Sequence, residues 1–232
     1  MARAERSPPR LDRSGARMPA RRARGTRRVR GTPRVEIVAP ERPVGIVILP
    51  AIIPLSASTD GLRLVAAGLQ DRGFATFLAE LLSPAETEHG YHNFDFGMLG
   101  DRITKITEKL SRRAPFEDLP IGYFGSSIDG AAMAIAAAQP NCPASALVMY
   151  NTRPELAAAE LPRLHAPTLF IVEDDQPALD LNRSALAQLG CPCDLAVLRC
   201  IGKGLACPET ASQVVELAGD WFATHLDGKR DD

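Results

Sequence analysis

Ser127 occupies the point in this chain where an attacking hydroxyl would sit. The apolar run Ile121 to Phe124 leads into Gly125-Ser126-Ser127, and an alanine-rich stretch of helical character, Ala131 to Ala138, leaves at once. Strand, sharp turn and helix in that order make the context of a nucleophile elbow, in which a serine hydroxyl is exposed at the top of a strand. The usual elbow reads Gly-x-Ser-x-Gly, so that backbones can cross closely on both sides of the serine. Here the first glycine is Gly125, the second slot holds Asp129, and the glycine arrives one residue late at Gly130. Asp129 admits two readings. In the first turn of the helix its carboxylate stabilises the helix dipole. As a negative charge two residues from Ser127, it disfavours an oxyanion nearby and favours a cationic or hydroxylated ligand.

A serine so placed needs a sheet to stand on, and the sequence supplies one. Short apolar runs at 45–49, 75–79, 121–124, 146–150, 168–172 and 194–198 are apolar on successive residues and separated by helical stretches. That pattern predicts a mostly parallel, doubly wound α/β sheet covered on both faces. The helices show their buried stripes: Leu62, Val65, Ala66 and Leu69; Phe96, Leu99, Ile103, Ile106 and Leu110, with Asp95 as cap; and Val214, Leu217, Ala218, Trp221 and Phe222. In such a sheet ligands bind beyond the carboxyl ends of the strands, the edge on which Ser127 lies.

The 232 residues, 45% of them hydrophobic, can bury one sizeable core. We expect a disordered tail over 1–34, one domain over 35–227 and a disordered end over 228–232. The net charge of -1 hides an asymmetry: residues 1–34 hold twelve Arg against Glu5 and Asp12, a net +10, which leaves -11 for the rest. The tail is too poor in large apolar residues to repay ordering entropy. Arginine neutralises phosphates whatever the base sequence, but without aromatic interleaving or a recognition fold the tail argues against specific nucleic-acid binding. Met18 is a second possible start.

Five cysteines, with neither a Cys-x-x-Cys nor a paired His pattern, read as reduced cytosolic thiols. No metal site and no cofactor is expected. No run approaches the roughly 18 apolar residues needed to cross a bilayer, and no apolar core follows the arginines to make a secretory signal. The expectation is a soluble cytoplasmic protein without a membrane partner.

Pro120 to Ser127, Asn93 to Arg102, Ala166 to Val172 and Asp220 to Leu226 together resemble the α/β-hydrolase superfamily, in its dienelactone-hydrolase-like branch, some members of which are fused to phosphoribosyltransferases. The resemblance spans roughly Val44 to Leu226. It implies the α/β-hydrolase fold, a serine nucleophile at Ser127 and an acid after the strand ending at Val172, which falls on Asp175 with Asp174 beside it. It also implies an oxyanion hole made by the N–H after the nucleophile, that of Ile128, and one from the segment after the first core strand, at Ala51. That segment reads Pro50-Ala-Ile-Ile-Pro54, whose two prolines remove donors. The histidine of the resemblance falls near Gly204, in a loop that contains none.

A serine hydroxyl is a poor nucleophile until a neighbouring base takes its proton. His89 and His92, on the loop after the second core strand, face the right edge to be recruited. Lys203 is nearest the missing base and, with Asp129, a candidate ligand-binding residue. His165 precedes a strand and belongs at the opposite edge; His225 closes the final helix. Two functions follow. The favoured one is a catalytically degenerate hydrolase-like protein that keeps its pocket for binding. The alternative is a serine hydrolase acting on a small ester or lactone, with Ser127 attacking, Asp175 supporting and His89 or His92 as base. The expected small-molecule partner is an ester, a lactone or a hydroxylated ligand.

Overall fold

The computed structural model describes residues 23–27, 35–52, 60–88, 95–199 and 204–226, with backbone alone for 23–27, Pro84 and Glu88. Six strands fall where apolar runs predict them: β3 (Ile46–Ala51), β4 (Ala75–Glu80), β5 (Ile121–Ser126), β6 (Ala144–Tyr150), β7 (Thr168–Glu173) and β8 (Cys193–Leu198). They are mutually parallel, and two antiparallel strands, β1 (Ala23–Arg27) and β2 (Val35–Ala39), extend the sheet to the order β1-β2-β4-β3-β5-β6-β7-β8.

Neither β1 nor β2 is among the strands that the sequence predicts. β1 lies inside the tail read as disordered, yet it pairs residue for residue with β2, from Ala23 opposite Ala39 to Arg27 opposite Val35. Pairing at a sheet edge uses backbone groups that every non-proline residue carries, so it needs none of the large apolar side chains whose scarcity prompted that reading. The remainder of 1–34, and 227–232, lie outside the described residues.

Among the described residues the α-helices are α1 (Asp60–Asp71), α2 (Pro84–Glu88), α3 (Phe96–Ser111), α4 (Asp129–Ala137), α5 (Gln176–Leu186) and α6 (Pro208–His225). Alternate residues of the central strands feed two cores. Ile46, Ile48, Tyr123, Met149 and Phe170 pack with Leu99, Ile103, Ala132 and Leu179 of α3, α4 and α5. Val47, Leu49, Phe124, Val148 and Ile171 pack with Leu62, Val65 and Leu69 of α1 and Val214, Ala218 and Phe222 of α6. Burial on both faces is why these strands read as unbroken apolar runs.

Asp95 caps α3 as expected, its Oδ1 accepting the Met98 N–H at 2.9 Å. The short α2 opens with a reciprocal pair: Ser83 N–H and Oγ donate to Glu86 Oε2 at 2.8 and 2.7 Å, and the Glu86 N–H reaches back to Ser83 Oγ at 3.4 Å. Arg102 of α3 joins it, bonding Glu86 and the Leu81 carbonyl. That bond and the Ser83 donors depress the Glu86 carboxyl from 4.5 to about 2. Among the described residues, no helix is long and apolar enough to cross a membrane.

Candidate active site

Six parallel strands place six carboxyl ends along one edge, and the elbow stands on the third of them. Between β5 and α4 the backbone turns at Ser127 with φ at 51°, a left-handed conformation that a side chain adopts at a cost of about 1 kcal/mol or more. The turn is tied to the end of β6: the Ser127 N–H donates to the Tyr150 carbonyl at 3.2 Å, and the Arg153 N–H donates to the Ser127 carbonyl at 3.2 Å. Ser127 is exposed. The close crossing after the serine is made by Gly130, one residue later than in the usual elbow. A Cβ on it would lie 2.3 Å from Thr152 Cγ2, and a Cβ on Gly125 would lie 3.0 Å from the Gly130 Cα. Gly125 and Gly130 therefore perform the close approach, and the displaced register leaves Asp129 to point elsewhere.

Asp129 points across the edge to the end of β3. Its residue is 9% exposed, and its Oδ1 accepts the Ile52 N–H at 2.9 Å. Burial raises its carboxyl from 3.8 to about 7, with the Ile52 N–H opposing that rise. Helix-dipole stabilisation is thus only part of its role: the side chain bridges α4 to the chain leaving β3. For the expected oxyanion donors the consequence is direct. Ala51 is the last residue of β3, and its carbonyl accepts the Leu81 N–H at 2.9 Å. The next N–H, that of Ile52, is already spent on a carboxylate. Ile128 is half-buried between Ser127 and α4, and its carbonyl accepts the Ala131 N–H at 3.1 Å.

At the end of β7 the structure separates two carboxylates that the sequence treats together. Asp174 and Asp175 are both exposed. Asp175 caps α5, its Oδ2 accepting the Ala178 N–H at 3.4 Å. The buried acid is Glu173, 6% exposed, which sequence reasoning missed. Its Oε1 accepts the Tyr150 hydroxyl at 2.6 Å and the Gly204 N–H at 3.1 Å, while its own N–H donates to Asn151 Oδ1 at 2.8 Å. Asn151 is held at φ 43° to do this. The signal was present in principle: an apolar strand run that ends on Glu173 with no break places that residue inside the layer, before the loop begins.

Gly204 stands where the resemblance expects a histidine, at φ 56°. A Cβ there would meet nothing within 4 Å among the described residues. What the slot offers the acid is a backbone N–H in place of an imidazole. His165 is exposed just before β7, at the amino edge, as expected. His225 ends α6 against Trp221, ring centroids 4.2 Å apart, and Leu226 beside it packs near Gly45 and Gly122 at the amino ends of β3 and β5. Neither belongs to the elbow. His89, His92 and Lys203 lie outside the described residues.

Comparison with proteins of known structure decides the family. A dienelactone hydrolase from Anabaena variabilis is 32% identical, with a TM-score of 0.78 over 88% of this chain and 99% of its own. The chain belongs to the α/β-hydrolase superfamily, in its dienelactone-hydrolase-like branch. More distant members share the fold alone: Est1E of Butyrivibrio proteoclasticus at 14% identity and TM-score 0.63, over 86% of this chain and 99% of its own, and carboxyl esterase 2 of Tuber melanosporum at 12% and 0.64, over 93% and 90%. Among curated proteins, two Mycobacterium tuberculosis chains named "Putative phosphoribosyl transferase" are 38% identical over 193 residues, which are 83% of this chain and 44% of each of theirs. This hydrolase-like chain thus spans less than half the length of those relatives. No family model matches it.

Proposed function

We propose that this α/β-hydrolase-fold protein no longer runs serine hydrolysis and keeps its pocket for binding a small hydroxylated ligand. The observation that carries the reading is the Ile52 N–H held by the Asp129 carboxylate at 2.9 Å. An oxyanion hole works by presenting unoccupied donors to developing negative charge; a donor already bonded to a carboxylate offers a tetrahedral intermediate little, and the carboxylate beside it repels the charge. Gly204 in the place of a histidine, its N–H on Glu173, supports the same reading, since Ser127 then lacks its expected proton acceptor.

A second reading has one observation in its favour. Ser127 keeps the strained backbone and the exposure of a working nucleophile. In that reading the chain hydrolyses a small ester or lactone, with His89 or His92 brought to the elbow as base and Asp175 in support. Labelling with a fluorophosphonate probe and hydrolysis of a short-chain aryl ester, each repeated on Ser127→Ala, separate the two. We expect no labelling and no hydrolysis above the Ser127→Ala background. Turnover that disappears with Ser127→Ala would establish the second reading instead.

The phosphoribosyl transfer in the names of the curated relatives is assigned, in this proposal, to the part of their length that this chain does not span. A cytoplasmic location fits the free thiols of Cys142, Cys191, Cys193 and Cys207.

A further inference from the structure

Cys191 and Cys193 lie at the amino ends of the strands, the edge opposite Ser127, and the fold directs both to one face of the sheet. In the ladder between β7 and β8, Cys193 stands opposite Thr168 and Leu195 opposite Phe170, so each pair shares a side. Phe170 and Leu195 belong to the core beneath α5, and Cys191 packs against that same core. Thr168, fully buried, serves both cysteines: its Oγ1 lies 4.0 Å from Cys191 Sγ, and its N–H donates to the carbonyl of the intervening Pro192 at 2.9 Å. The backbone that carries the thiols is fixed. Pro192 locks its own φ and keeps Cys191 before it extended, while Cys193 is the first residue of β8. Both cysteines are free and half-buried, so a solute reaches them. Burial raises the Cys191 thiol above its ordinary value; the Thr168 contact opposes that rise and the charge of Cys193 adds to it, as only a near neighbour does.

We propose that Cys191 and Cys193 bind one monovalent soft cation, Cu(I), in a two-coordinate dithiolate site. The site lies across the sheet from the elbow and holds whether or not Ser127 is active. Thiolates select soft metals such as Cu(I). Structural zinc takes four ligands, and catalytic zinc three with water. Among the described residues no group of three or more His, Cys, Asp or Glu could hold a metal, which leaves an ion content with two. In-line binding asks the sulfurs to stand about 4.6 Å apart, twice a metal–thiolate bond of about 2.3 Å. Side chains of residues i and i+2 on one face of extended backbone reach that span by rotation alone. A disulfide instead asks their Cβ atoms to close to about 3.5–4.5 Å, nearer than extended backbone at about 3.3 Å per residue sets them. On binding, two S–H bonds give way to two S–Cu bonds, both protons pass to water and the copper stays Cu(I). The ion's charge favours both thiolates at once and cancels the repulsion that each sulfur alone presents to the other.

Competition with bicinchoninate, a chromophoric Cu(I) chelator, tests the site on the full chain, reduced and without oxygen. One equivalent of Cu(I) is expected to leave the chelator for the protein, and Cys191→Ser or Cys193→Ser is expected to weaken that binding about a hundredfold or more. The triple variant Cys142→Ser, Cys200→Ser, Cys207→Ser keeps the pair alone and should bind within about twofold of the parent. X-ray absorption of the loaded chain should show copper with two sulfur neighbours and no third ligand, and Zn(II) at the same concentration should not displace it. Copper left on the chelator, undiminished binding in the folded Cys191 or Cys193 variant, loss of binding in the folded triple variant, displacement by Zn(II) or a third copper ligand would overturn the proposal. Should the variants fail to fold, the ligand count on the unaltered chain decides alone.

Discussion

Ser127 holds a left-handed backbone without a glycine to relieve it. If no chemistry repays that strain, removing it should cost nothing but pocket shape. Ser127→Gly is expected to raise stability by about 0.5 to 1 kcal/mol, read as a shift of the urea midpoint, because glycine adopts this φ freely while losing some unfolded-state advantage. Asp129 makes a prediction of opposite character, carried by pH. Its folded carboxyl sits at about 7 against an ordinary 3.8, so the folded state holds the proton more tightly than the unfolded chain does. Its contribution is therefore full below about pH 4 and is lost as pH climbs through 7. Thermal melts of the unaltered protein should fall over that window, and Asp129→Asn should flatten the fall by on the order of 2 kcal/mol, after discounting for relaxation around the charge. A melt curve unchanged by the substitution would mean that the carboxylate is hydrated after all. The sequence left both readings of Asp129 open because a residue in the first turn of a helix can face inward or outward, and only the arrival of the β3 end beside it made this one face inward.

At the scale of elements, the carboxyl edge is built by loops that are pinned at their bases. The reciprocal Ser83 and Glu86 pair opens α2, and Arg102 ties it to α3 and to the Leu81 carbonyl immediately after β4. Glu86→Ala removes both the cap and the ion pair and should cost about 1 kcal/mol in chemical denaturation, the ordinary worth of a capping box with a solvent-screened partner. Glu86 sits at about 2 in the folded protein against 4.5, so the difference between variant and parent should be full above pH 4.5 and shrink as pH falls toward 2. The elements most plainly written in the sequence were those whose side chains all agree: the six parallel strands, and α1, α3 and α6 with their unbroken stripes. α5 was missed because Asn182, fully buried and bonded to the Ala178 carbonyl at 2.8 Å, interrupts its apolar face. β2 was missed because all five of its residues are only half-buried, and β1 because backbone pairing leaves no mark on side-chain composition.

Across the whole molecule, the site is an assembly of four strand ends: β3 supplies Ile52, β5 the elbow, β6 Tyr150 and Asn151, and β7 Glu173, with Gly204 arriving from the loop after β8. If two departures silence it, reversing both should matter more than reversing either. The double variant Asp129→Gly, Gly204→His frees the Ile52 N–H and puts an imidazole into space that is open among the described residues. It is expected to hydrolyse a short-chain aryl ester about tenfold or more faster than the parent, with each single variant near background, since a nucleophile, its base and its oxyanion donors act as a unit. A double variant no faster than the parent would show that the elbow itself no longer presents Ser127 correctly. By itself the sequence determined the layered fold, the strand edge on which Ser127 stands and the absence of a histidine from the 199–208 loop, because periodicity, turn residues and residue identity are local properties. Only the tertiary structure decided that Gly130 replaces the missing elbow glycine, that Glu173 and not Asp175 is the buried acid, and that Asp129 takes the Ile52 N–H. Each of those depends on which atoms from distant segments come within hydrogen-bonding reach, and no spacing along the chain encodes a distance between Ile52 and Asp129.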